Sequence, residues 1–106
     1  DVSWDVVKFL LEKHPDAVWE RDIDGQTPLH LACRKRIPLD VLSLLLNIWP
    51  DAARDSDHKG CTPLHYICRY GASLDVVSLL LGKWTDAVEV KDTYGGTPLH
   101  FACRYG

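Results

Sequence analysis

Methionine is missing from this chain. A complete translation product begins with it, so the sequence is expected to be a piece of a longer one. It opens inside one helical pattern and stops just past another, at Arg104-Tyr105-Gly106. A basic excess is missing too. Twelve Lys and Arg stand against fifteen Asp and Glu, for a net charge of −3, and this gives no overall pull toward nucleic acid. Long apolar runs are absent. The longest, Val41 to Trp49, is broken by Ser43 and Asn47 and falls well short of the ~20 residues that cross a bilayer. No secretory pattern opens the chain, and no linker or low-complexity segment divides it. What remains is 106 residues, 46% hydrophobic and 25% charged, enough for one domain with a modest core.

Cysteine is sparse, and its spacing argues against a disulfide framework. Three of the four, Cys33, Cys68 and Cys103, recur at a constant interval. Equivalent helices stacked about 8–10 Å apart hold their Cα atoms beyond the ~7 Å reach of a disulfide. These thiols are expected to be reduced and buried, packing like alanine, which favours a reducing, intracellular setting in cytoplasm or nucleus. Cys61 has no counterpart, since Gln26 and Gly96 hold its place, and it reads as a free thiol near a loop.

One pattern organises everything else. Thr27-Pro28-Leu29-His30 returns as Thr62-Pro63-Leu64-His65 and Thr97-Pro98-Leu99-His100, each copy 35 residues after the last. Asp22/Asp57/Asp92 and Gly25/Gly60/Gly95 precede the copies, and Arg34/Arg69/Arg104 follow them, all at the same interval. A fixed period of about 20–50 residues marks a repeat array. Thr can cap a helix through its hydroxyl, and Pro suits the first helical position because its missing N–H would be unpaired there. The leucines are then expected to point into a core. Asp and Gly before each copy give a tight turn with a mechanism: side-chain bonds to the backbone and a positive φ.

The run Asp22-Ile23-Asp24-Gly25-Gln26-Thr27-Pro28-Leu29-His30-Leu31-Ala32, with its two echoes, resembles the ankyrin repeat, whose signature is T-P-L-H-x-A at a period of about 33 residues. The likeness covers essentially the whole chain. It implies an all-α helical solenoid of the ankyrin type, with hairpin fingers projecting between helix pairs. It also implies a concave face lined by the first helices, and TPLH histidines that hydrogen-bond adjacent units together. Each unit is longer than the family length, and the family's usual Gly after the second helix is replaced by Lys13-His14-Pro15, Ile48-Trp49-Pro50 and Lys83-Trp84-Thr85.

On this reading residues 1–106 form a single domain: a half unit and finger (1–26), two complete units (27–61 and 62–96) and a half unit (97–106). Helices are predicted at about 3–14, 28–36, 40–49, 63–70, 75–84 and 98–105. The second helices carry two apolar stripes, for example Val41, Leu44, Leu45, Ile48 and Leu42, Leu46, Trp49. That pattern fits a helix wedged between its own partner and the next unit. Trp49 and Trp84 fall on such stripes, which favours core packing over service as partner anchors. Two complete units without polar caps predict marginal stability and adhesive ends.

The His/Cys rows invite a metal or nucleophile reading, because His30/Cys33 and its echoes share a helix face. The pairs recur a helix diameter apart, which scatters the donors a metal would gather, and no third orienting group completes a catalytic set. No cofactor, metal or catalytic residue is therefore expected. The informative positions are those that vary inside the fixed frame: Ile23-Asp24, His58-Lys59 and Thr93-Tyr94 at the finger tips, Arg21 and Lys91 before them, and Lys35, Tyr70 and Tyr105 on the first helices. With the row Arg34, Arg69 and Arg104, they make the expected partner surface, since function tends to sit on loops held by a rigid frame. The row either pairs with finger aspartates such as Asp57 or is free to grip acidic or phosphorylated segments.

The favoured function is a non-catalytic protein–protein interaction module or scaffold. Its partner is another protein or peptide of acidic character, alongside neighbouring repeats of the parent chain. The competing readings are a metal- or nucleic-acid-binding repeat segment and a purely structural spacer. No membrane partner is expected, and nucleic acid is disfavoured by the aspartates beside the arginines.

Overall fold

Each TPLH copy starts a helix by the same reciprocal capping. The Thr27 hydroxyl accepts the His30 backbone N–H at 3.3 Å, and His30 Nδ1 accepts the Thr27 N–H at 3.1 Å. Thr62 and His65 repeat this at 3.4 and 3.0 Å. In this computed structural model, which describes residues 3–105, six α-helices result: α1 (Trp4–Lys13), α2 (Pro28–Arg34), α3 (Leu39–Ile48), α4 (Pro63–Tyr70), α5 (Leu74–Lys83) and α6 (Pro98–Tyr105). The outermost residues of the first and last half units, 1, 2 and 106, lie outside the described residues. The first helices α2, α4 and α6 pack in sequence, and the second helices α1, α3 and α5 form a parallel layer behind them. The architecture is an all-α solenoid. Among the described residues no helix is long and apolar enough to cross a membrane.

The second helices end without glycine. His14, Trp49 and Trp84 leave the helix with φ of −145°, −143° and −156°, outside the left-handed region that a glycine would serve. The chain then makes a single 3-10 turn at Pro15–Trp19, Pro50–Arg54 and Thr85–Glu89. These turns fall between the helices that the sequence pattern predicts. Their buried alanines, Ala52 and Ala87, seal the bottom of the core, and Trp49 and Trp84 lie half-buried against it. The fingers that follow contain no strand among the described residues, unlike the expected β-hairpins. Two backbone bonds close each of them, such as Asp22 N–H to the Gln26 carbonyl at 2.9 Å and Gly25 N–H to the Asp22 carbonyl at 3.0 Å. The neighbouring N–H groups bond to the Asp side chain instead, so no ladder continues.

The core follows the two-stripe reading of α3: Val41, Leu42, Leu45 and Leu46 are all buried. Position in the stack decides the rest. Leu29 and Leu64 are 1% and 2% exposed, whereas Leu99, the same motif residue, is 70% exposed because no second helix packs over it among the described residues. The same holds for the thiols. Cys33 is buried and Cys68 half-buried, but Cys103 is exposed, contrary to the expectation that all three sit inside; all are free.

One local conflict stands out. α2 ends in a left-handed residue, and that residue is Arg36, at φ +59°; the equivalent place after α4 holds Gly71, at φ +96°. A side chain in this region costs about 1–2 kcal/mol. Replacing Arg36 with Gly is expected to raise stability by about 0.5–1 kcal/mol after the added freedom of the unfolded chain is counted. Thermal unfolding would show it. Arg36→Ala, which keeps the strained Cβ, should bring no gain, and equal gains from both would remove strain as the cause.

Candidate partner-binding groove

The finger tips are built by aspartate. Asp22 Oδ1 accepts the N–H groups of Asp24 and Gln26 at 3.0 and 2.9 Å, Asp57 those of Lys59 and Cys61, and Asp92 those of Tyr94 and Gly96. The tips are then tied to one another through the backbone. His58 N–H reaches the Asp24 carbonyl at 3.0 Å, and Thr93 N–H the Lys59 carbonyl at 2.9 Å. Gly25 permits this approach, since a Cβ there would stand 2.4 Å from the His58 ring.

Below the tips, histidine locks unit to unit. His30 Nε2 donates to the Cys61 carbonyl at 2.9 Å, and His65 Nε2 to the Gly96 carbonyl at 3.0 Å. Because Nδ1 accepts the Thr backbone N–H, the proton of each ring sits on Nε2. Both nitrogens are thus occupied, which removes these rings as metal donors. Burial also pulls His30 below the usual histidine range, against the Cys61 carbonyl, which favours the proton. Among the described residues no group of three or more His, Cys, Asp or Glu could hold a metal. Burial pushes the Cys33 thiol up to about 12 and, with help from Asp57 and Asp92, the Cys61 thiol up to about 11, so neither offers a thiolate near neutral pH.

Between tips and first helices lie two adjoining hollows of about 280 and 450 Å³. Asp24, Arg34, His58, Lys59, Arg69 and Tyr70 come together around the first, and Lys59, Arg69, Tyr94, Arg104 and Tyr105 around the second. The arginine row is exposed, and among the described residues the ion pairs are Lys8 with Asp40 and Arg21 with Asp55. Asp57 is not the partner of the row. Burial alone would raise its carboxyl, but the Tyr66 hydroxyl at 2.6 Å and the two backbone N–H groups outweigh this and hold it below the usual range. The guanidiniums lie over tyrosine rings instead. Arg34 and Arg69 sit 5.6 and 5.2 Å from the Tyr70 centroid, and Arg69 and Arg104 sit 4.7 and 5.8 Å from that of Tyr105.

Other expected site residues fall elsewhere. Arg21 is spent on the frame: it pairs with Asp55 at 2.8 Å and donates to the Ser56 and Gly25 carbonyls, tying the first finger to the second. Lys35 caps α2 and lines a separate hollow with α1. Ile23 is 90% exposed at a tip, and Lys91 and Thr93 are exposed outside both hollows, Thr93 through its side chain alone since its N–H is tied. Sequence reasoning missed Tyr66 and Phe101, which line the groove and stand edge-on to the preceding histidines at 4.8 and 4.9 Å. They share one repeat position with Leu31, so the same variation inside the frame could have found them.

Family comparison agrees with this geometry. A model of ankyrin repeats in three copies matches residues 39–106, and a second, of ankyrin repeats in many copies, matches residues 5–46. A search of curated proteins finds no match. Ankyrin repeats are in general protein–protein interaction modules and typically non-catalytic. With capped helix pairs, tied fingers and family matches that together span nearly its full length, the chain belongs to the ankyrin repeat family.

Proposed function

We propose that the chain is a non-catalytic module that grips a protein or peptide of acidic character across its first helices and finger tips. Residues 27–61 and 62–96 serve as its complete units, and its setting is intracellular, which the four free thiols favour. One observation carries the reading: Arg34, Arg69 and Arg104 stand exposed along the groove and lie over tyrosine rings rather than against carboxylates. Guanidiniums held this way keep their N–H edges for carboxylate or phosphate.

The test compares Arg69→Glu with Ser78→Glu, an exposed control on α5, against a partner captured on the unmodified chain. Arg69→Glu is expected to weaken binding by about tenfold or more through charge reversal at the centre of the surface, with Ser78→Glu silent. Equal binding by two folded variants would place the surface elsewhere. Unfolding of Arg69→Glu would make the row part of the frame.

A further inference from the structure

The groove has a period, and a ligand must match it. Cation and ring alternate along it: Arg34, Tyr70, Arg69, Tyr105, Arg104. Two guanidiniums share each ring, so their separation cannot exceed the sum of their distances to it, 5.6 and 5.2 Å at Tyr70. Stacked helices repeat at about 8–10 Å, which lies within that bound and is taken as the period of the row. A β-strand returns a side chain to one face every second residue, about 7 Å on, and so falls out of step. A polyproline II segment returns every third residue, about 9 Å on, and stays in step. Its proline rings also suit aromatic surfaces of the kind presented between the cations.

Charge points the same way. Asp57 and Asp92 turn their carboxylates inward to backbone N–H groups, and Asp57 also holds Tyr66. Asp24 is the exposed acid of the rim, facing Arg34, Lys59 and Arg69 across the first hollow.

Resting on the concave-face reading above, we propose that the preferred ligand is a polyproline II segment with a carboxylate at every third position. Each carboxylate meets one guanidinium, and the intervening residues pass over the edges of Tyr70 and Tyr105 left between the guanidiniums. A helix with acids seven residues apart comes close, at about 10.5 Å, but is 10–12 Å wide, so its backbone stands off from the rings.

The experiment uses three labelled synthetic peptides and fluorescence anisotropy. The first has Glu at positions 1, 4 and 7 with proline between. The second has the same composition with Glu at 1, 3 and 5. The third is an alanine-rich helix with Glu every seventh residue. The first is expected to bind about tenfold or more tighter than the second, to weaken with salt, and to lose about tenfold with Arg69→Gln but not Ser78→Gln. Arg34→Gln serves if Arg69→Gln does not fold. Equal binding of the first two peptides, tighter binding of the helical one, or no binding by any, overturns the proposal. If the first two bind equally and Arg69→Gln weakens both, the spacing falls and the docking face stands. If a peptide binds and neither arginine variant affects it, the face falls with it.

Discussion

Replacing His30 with alanine is expected to destabilise the protein by about 3 kcal/mol, lowering its thermal midpoint by roughly 10–20 °C. The ring is fully buried, caps α2 through Nδ1 and holds the next unit through Nε2. Its removal leaves the Thr27 N–H and the Cys61 carbonyl without that partner and opens a cavity beside Tyr66. His100→Ala is the control. That ring is exposed, and among the described residues its Nε2 has no acceptor, so its loss should cost about 1 kcal/mol or less, the value of its cap. Equal losses would mean that capping, not the lock between units, carries the effect. The lock also has a pH signature. Because burial lowers the His30 pKa, the unfolded chain binds more protons as pH falls through about 6.5. The stabilisation is therefore complete above that pH and lost below it. Chemical unfolding at pH 8 and pH 5 should show the gap between the unmodified chain and His30→Ala narrowing at the lower pH.

Leu64→Ala should cost about 2–5 kcal/mol, while Leu99→Ala at the same motif position should stay within about 0.5 kcal/mol. Leu64 is 2% exposed in α4, which packs against α2, α5 and α6; Leu99 is 70% exposed at the end of the stack. Against a total stability of about 5–15 kcal/mol for an ordinary domain, the first loss brings a short array close to unfolding at room temperature. Urea unfolding of both variants measures the difference. A large loss from Leu99→Ala would reveal that something covers that face in solution, such as another copy of the chain.

The helices and their order were legible because the TPLH motif carries its own capping chemistry and recurs. Burial was less legible. Cys33 and Cys103, or Leu29 and Leu99, are the same residue in the same local sequence, and only the presence of a following unit separates them. The 3-10 turns escaped because five residues such as Pro15–Trp19 are too short to show a helical period. At the candidate site, the recurrence of Arg34, Arg69 and Arg104 announced a row, but whether its members would meet Asp57 or a tyrosine ring depends on side-chain rotamers. Asp57 was already taken by Tyr66, a partner nine residues away that no spacing rule suggested. Arg21 belongs to the variable positions, yet it is spent on the frame, because its ion pair with Asp55 joins side chains 34 residues apart that no spacing rule connects.

The histidine locks and finger ties between units span similar short distances along the chain. His30 to Cys61 and His65 to Gly96 each join residues 31 apart, and the finger ties run from Asp24 to His58 and from Lys59 to Thr93. Closing a loop of this length costs the same wherever it occurs in an array, and the cost rises only slowly with loop length. Folding speed should then be set by forming one pair of neighbouring units, and adding further units should leave the rate-limiting search nearly unchanged.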